Sequence, residues 1–425
     1  MTIRVLILAH GHPAFSTGGG EQAAHALYAR LLERDDVAPV LVARAPRSAI
    51  GHDASFGAFQ ASPTEILADP PEQDHFSLES TQFAVLEAMV EQLLERFRPD
   101  LVHIEHLAYW SIDIVELLAR AGVPIVLTLH EFLLICHHDG QMIKTDGRLC
   151  RAESPAACAA CFPHHSAGEF YLRKRMILQR LAPIARFVSP SAFLADRFVA
   201  WGLDRARITV IDNPLSPDVI AQGNAPDLGV ADDENRPAIR VGFFGQVNPY
   251  KGLDVLLGAV SQIPKPLRAS LSVGIHGANF DAQGSDFRAK IAALLEANAD
   301  VVANEGRYAN GDVVALMRQY DWIVVPSIWW ENSPVVIQEA LVARRPILCS
   351  AIGGMAERVG EGDVGVTFQP GSAVDLARTL VAIITGRIVG PDMTAAYASD
   401  AEEARVTHYV SVFATALAIG RAPAE

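Results

Sequence analysis

Two glutamates, Glu331 and Glu339, stand eight positions apart in WWENSPVVIQEALVARRPILCSAIGG, Trp329 to Gly354. Paired glycosidase carboxylates sit roughly 5–9.5 Å apart across one bond, whereas eight residues of ideal helix rise about 12 Å. The spacing therefore suits two grips on one long ligand better than a hydrolytic pair. Asn332-Ser333-Pro334 starts the expected helix, with Pro early in its first turn. Glu331 falls just before that helix and Glu339 inside it. The N–H groups at its start, of Ser333 and Val335 on either side of Pro334, would face phosphates. Two ordinary helix-surface glutamates are the alternative.

Two strand-to-helix turns offer further anion contacts. TGGGEQ, Thr17 to Gln22, lets backbone at Gly19 and Gly20 approach an oxyanion, or is simply a tight turn. Glu21 there reads as a dipole-compensating residue. FFGQVNPYKGLDVLL, Phe243 to Leu257, places Lys251 beside a second such turn, where its ammonium can meet a phosphate. His130 ends the strand PIVLTLHEF, at a strand's carboxyl end where open α/β sheets bind ligands. A hydrogen-bonded core histidine is the other reading.

Four of the five cysteines, Cys136, Cys150, Cys158 and Cys161, cluster in one stretch with histidines at its ends. In a reducing compartment this suggests a structural zinc site, with free thiols, an iron–sulfur centre and disulfides as the other possibilities. Cys349 reads as a buried small hydrophobe. The following segment, residues 169–186, carries Arg173, Lys174, Arg175, Arg180 and Arg186 among apolar residues. It is either a membrane-surface helix or a domain helix with a solvated basic edge.

These residues need a scaffold, and 425 residues exceed one hydrophobic core. Val/Ile/Leu runs alternate with amphipathic helices, the pattern of a parallel sheet covered on both faces. The alternation restarts after a polar stretch. We expect an N-terminal Rossmann-like domain over 1–215 with a cysteine-rich insertion at 132–165, a linker at 216–236, a second such domain over 237–398, and a helix over 399–425 packing back on the first. Ligands are expected in a cleft between the two domains, at the strands' carboxyl ends. The net charge of -14 disfavours nucleic-acid binding. The opening TIRVLILAHGHP reads as a strand and not a signal peptide, pointing to the cytoplasm.

Glu331-x7-Glu339 in PSIWWENSPVVIQEAL, Gly353-Gly354, FFGQVNPYKG and TLHEF occur in an order that resembles the retaining glycosyltransferases of family 4 (glycosyl transferases group 1). The resemblance spans nearly the whole chain. It implies the GT-B fold, two Rossmann-like doubly wound domains, and transfer of a hexosyl group from a UDP- or GDP-sugar to a glycan or lipid-linked saccharide, as in bacterial polysaccharide or glycoconjugate synthesis. By the same resemblance Glu331 contacts the donor hexose, Glu339 the ribose hydroxyls and Lys251 the diphosphate, with Gly19 and Gly20 against it. His130 then touches the sugar near the reacting centre, and no metal is needed for catalysis. One position departs from the pattern: Gln246 stands where the family commonly carries Arg. Arg307, in NEGRY, is a candidate replacement, and Tyr308 beside it either approaches the base or packs. A nucleotide-sugar 2-epimerase of the same fold and a non-catalytic sugar-nucleotide-binding protein are the rival readings.

Overall fold

The computed structural model describes residues 2–16, 18–51, 55–225, 238–361, 363–394, 396–397 and 399–420. The chain divides into two compact units, one of residues 1–216 with 402–425, the other of residues 217–401.

The first unit is built on an eight-stranded sheet. Its strands are β1 (Ile3–Ala9), β2 (Val37–Arg44), β3 (Phe56–Ala58), β4 (Glu65–Ala68), β5 (Leu101–Ile104), β6 (Ile125–Thr128), β7 (Arg186–Ser189) and β8 (Ile208–Val210). They lie in the order β3-β4-β2-β1-β5-β6-β7-β8, all parallel except β3. Strands buried on both faces must be apolar throughout; β5 and β6 are, apart from His103 and Thr128, whose side chains bond each other at 2.8 Å. The helix Ser399–Gly420 contributes Tyr409, Phe413 and Ala416 to the same core as Val5, Ile7 and Leu27. Arg34 and Arg30 reach Glu403 on that helix at 2.7 and 3.0 Å.

The second unit carries β9 (Ile239–Gln246), β10 (Leu271–Ala278), β11 (Val302–Gly306), β12 (Trp322–Val325), β13 (Ile347–Ser350) and β14 (Gly365–Phe368). Their order, β11-β10-β9-β12-β13-β14, is that of a six-stranded doubly wound sheet, parallel at every pairing. Its core joins Val241, Phe243, Leu256 and Val324 to Leu376 and Leu380 of the helix Ala373–Ile384.

The expected linker differs in part from the structure. Its first residues form the helix Pro217–Asn224, where a methyl at Gly223 would strike Val342 and Tyr397. The segment is thus packed chain of the second unit up to residue 225, and 226–237 lie outside the described residues. The basic segment folds as the helix Ala167–Arg180, opened by a capping box between Ser166 and Glu169. Most of its cations are spent inside the domain. Arg173 is buried against backbone carbonyls, Lys174 pairs with Glu153 at 3.1 Å, and Arg180 joins Glu116 and Glu79. Among the described residues no helix is long and apolar enough to cross a membrane.

Candidate active site

In a doubly wound sheet the loops diverge where the strand order reverses, leaving a crevice at the carboxyl ends of the two central strands. Each unit has one such place, between β1 and β5 in the first and between β9 and β12 in the second.

In the second unit, the turn after β9 supplies Lys251 and the loop after β12 supplies Glu331. Their charged atoms lie 2.6 Å apart. Glu331 is buried, and its Oε1 also accepts from Ser327 Oγ and Trp329 Nε1, each at 2.8 Å. Burial raises the carboxyl's pKa, but Lys251, Trp329 and Ser327 outweigh it and hold the group below its ordinary value. All three bonds converge on one oxygen, and among the described residues Oε2 has no bond, so it can accept from a ligand hydroxyl. The Lys251 ammonium lies over the Trp329 ring at 5.6 Å, and Tyr250 stacks on that ring at 5.3 Å.

Two glycines make these loops possible. Gly252 has φ +70° and a Cβ there would fall 1.9 Å from the Pro326 carbonyl oxygen; Gly353 has φ +63° and a Cβ there would fall 2.4 Å from the Glu331 carbonyl oxygen. The Gly354 N–H donates to that same Glu331 oxygen at 2.7 Å. Loops from three strands are thereby drawn together around Glu331.

The helix after this loop runs from Val335 to Val342, with Pro334 in extended conformation at its N-cap and no side chain capping it. Its first N–H groups therefore remain available to anionic oxygens. Glu339 is partly buried on this helix, and burial alone pushes its carboxyl up to about 7. Tyr308 is close enough for the Glu339 charge to raise the phenol further. It packs edge-on against Phe244 and His276 at 5.5 and 6.2 Å, a packing role. Ser333 Oγ accepts from Gln338 at 3.3 Å.

Gln246 ends β9 in register with Ala278, and its amide makes no hydrogen bond among the described residues. Arg307 is exposed and follows the edge strand β11. Two strand spacings, about 10 Å, separate that strand from β9, and among the described residues no hydrogen bond joins Arg307 to Gln246.

The first unit gathers a different set. His10 follows β1, Glu105 and His106 follow β5, and His130 and Glu131 lie just beyond β6. The His10 and His106 rings pack at a tilt with centroids 4.4 Å apart, and His106 Nε2 lies 3.0 Å from Glu131. His130 Nε2 lies 2.7 Å from the buried carboxylate of Glu105, which fixes the orientation of the ring. Burial raises Glu105, yet His103 and the His130 bond bring it below its ordinary value. A methyl at Gly20 would stand 2.9 Å from His10 and 3.9 Å from His130, so Gly20 and His130 share one place.

Glu21 takes a larger part than dipole compensation. Its carboxylate accepts from Ser16 Oγ, lies 3.5 Å from His10, and fills the space over Gly11 and Gly18. Despite burial, His10 and Ser16 hold it down to about 2. Glu105, His106, Ser327 and Trp329 had no role in the sequence reading. Ser327 and Trp329 were findable as hydrogen-bond donors within the Glu331 motif, whereas a strand-end Glu105 carries no local signal.

Residues 232–402 match the family of glycosyl transferases group 1, and residues 17–219 match Glycosyltransferase Family 4. The chain belongs to this family. Among curated proteins this glycosyltransferase is 24% identical over 330 residues to a D-inositol 3-phosphate glycosyltransferase of Mycobacterium sp. (strain KMS), covering 75% of this chain and 67% of that one. It is 27% identical to the protein of the same name from Streptomyces avermitilis, spanning 58% of that protein's length. Among solved structures it is similar to Anabaena HepE in complex with UDP, with a TM-score of 0.62, 20% identity and 98% of both chains covered. It is also similar to the catalytic domain of starch synthase IV from Arabidopsis thaliana bound to ADP and acarbose, with a TM-score of 0.66, 14% identity, and 98% and 100% covered. The two parallel-sheet units and these likenesses define a GT-B fold.

Proposed function

We propose that this glycosyltransferase moves a hexosyl group from a nucleoside diphosphate sugar, UDP- or GDP-linked, to a hydroxyl of a glycan or lipid-linked saccharide, with retention of configuration. The observation that carries this reading is the Lys251–Glu331 pair, 2.6 Å apart at the reversal between β9 and β12, with Glu339 on the helix that follows. Structures of HepE with UDP and with UDP-glucose support a nucleotide-sugar donor. Bacterial relatives that glycosylate D-inositol 3-phosphate support a role in bacterial glycoconjugate or polysaccharide synthesis.

Lys251 takes the diphosphate, exchanging part of its bond to Glu331 for phosphate oxygens, with the uncapped N–H groups at Val335 adding the helix dipole. Glu331, fixed by Ser327 and Trp329, offers Oε2 to a sugar hydroxyl, and Glu339 accepts from the ribose. His130, oriented by Glu105, touches the sugar near the reacting carbon. Gln246 offers the diphosphate a hydrogen bond but no charge, so the leaving group's charge rests chiefly on Lys251. Glu331 is committed to three donors and acts as a hydroxyl acceptor, not a nucleophile. The departing phosphate oxygen takes the acceptor's proton on the face it leaves, and retention follows. This reading places the enzyme in the cytoplasm. Approach to a lipid-linked acceptor falls to Tyr171, Leu172 and Arg175, which are among the exposed residues of the helix Ala167–Arg180.

Proton NMR of the first-formed product from an α-linked nucleotide sugar tests the stereochemistry. An α-glycoside, with release of nucleoside diphosphate that depends on the acceptor, is expected. A β product overturns retention, and loss of donor without any glycoside overturns transfer in favour of epimerisation or hydrolysis.

A further inference from the structure

Between β6 and the helix Ala167–Arg180 the chain runs with little regular structure: one bridge, Ile143 to Leu149, and the helix Pro155–Cys161. A connection of this length inside a compact domain calls for something that fixes it. Backbone contacts already bring the cysteines toward one another. Cys150 N–H donates to the Met142 carbonyl at 2.7 Å, while the Cys136 carbonyl accepts from the Gly140 N–H at 3.2 Å. Cys158 and Cys161, three apart on one helix, share a face. None of the four is in a disulfide.

Arg173 lies among them and is only 5% exposed. Its guanidinium donates to the carbonyls of Phe76, Leu133 and Leu134 at 2.6, 3.1 and 3.0 Å. Those bonds satisfy its N–H groups but leave its charge, and among the described residues it has no carboxylate partner. The ionisable groups near enough to act on it are Cys136, Cys158 and Glu153, and Glu153 is committed to Lys174. A buried cation without an anion is costly. The nearby thiols become anions once a metal takes their protons.

We propose that Cys136, Cys150, Cys158 and Cys161 bind one zinc ion as four thiolates, with Arg173 as counter-charge to the dianionic centre. Four Zn–S bonds form as four thiol protons pass to solvent. A tetrahedral site sets its sulfurs about 3.8 Å apart. In this structure, among the described residues, the one group of three possible ligand atoms within 4.8 Å of one another is His12, His25 and Glu65, so the cysteines must close further on the metal. That other group is a hydrogen-bonded cluster and not a rival zinc site. His12 Nδ1 accepts the Ala14 N–H at 3.1 Å, which leaves the ring proton on Nε2, directed at Glu65 2.8 Å away. The site is structural, tying the hairpin and the helix Pro155–Cys161 to the domain.

Elemental analysis of full-length protein purified without added metal should find about one zinc per chain, released as a mercurial blocks the thiols. Cys161→His, which keeps a ligand, should retain zinc; Cys161→Ala should lose it and lower the melting temperature, and Cys349→Ser should change neither. Cobalt substitution should give the ligand-field spectrum of a tetrahedral tetrathiolate. Absence of metal with four thiols titrating in the native protein overturns the proposal. So does iron with acid-labile sulfide, or zinc retained in Cys161→Ala.

Discussion

Glu331 commits one oxygen to Lys251, Ser327 and Trp329 together, and this geometry decides what its loss would do. Glu331→Gln keeps the shape and two of the donors but removes the charge that holds Lys251. Turnover should fall by roughly 10²–10³-fold, the scale of losing one preorganised polar group. Nucleoside diphosphate should bind at least as tightly, because the lysine is released to the phosphates. Steady-state rates beside calorimetric affinities check this, and a loss of affinity equal to the loss of rate would count against the assignment. Glu339 predicts a pH dependence. Its carboxyl is pushed up to about 7 by burial, so it is protonated below that pH and ionised above it. Ribose hydroxyls need the carboxylate as acceptor, hence affinity should rise as pH increases toward about 7, by at most about tenfold per unit, and level off above. The sign for stability is opposite: the folded pKa lies above the unfolded value, so this group's contribution is full below about 4.5 and declines as pH rises to about 7. In Glu339→Gln both dependences should vanish, and titrations at matched pH would show it.

The two loops around Glu331 depend on backbone that only glycine accommodates. In Gly353→Ala a methyl would meet the Glu331 carbonyl oxygen at 2.4 Å with φ at +63°. About 1–3 kcal/mol of strain is expected, relieved by moving the loop that carries Glu331, so stability and donor affinity should fall together in denaturation and binding curves. At this scale the sequence was informative wherever the candidate residues lie in contiguous motifs. Glu331, Glu339, Lys251 and Gly353 could be named because two strand-to-helix turns and one helix start carry them. The Glu105–His130 contact spans 25 positions and two strands, and nothing local to either residue announces it. Glu21 was seen but underrated, since that its side chain folds back over Gly11 and Gly18 depends on loop shape and not on spacing. The segment after residue 216 read as a linker because it is polar and rich in Pro and Asp; its opening helix owes its place to Val342 and Tyr397, far along the chain.

Across the whole molecule, the alternation of apolar runs and amphipathic helices was enough to foresee two doubly wound units, since strands covered on both faces must be apolar throughout. Strand order was not legible, because parallel crossovers of similar length permit several orders; the observed reversals at β1/β5 and β9/β12 are what assign the site residues their places. The account's central claim is that the second unit binds a nucleoside diphosphate through Lys251 and that this binding serves sugar transfer. Calorimetric titration of UDP, GDP and ADP into the wild type and Lys251→Ala tests it most directly. One of the three should bind the wild type with a stoichiometry of about one and lose at least about tenfold in affinity in the variant, the worth of one charge-assisted phosphate bond. No binding by any of them, or equal affinity in Lys251→Ala, would contradict the account.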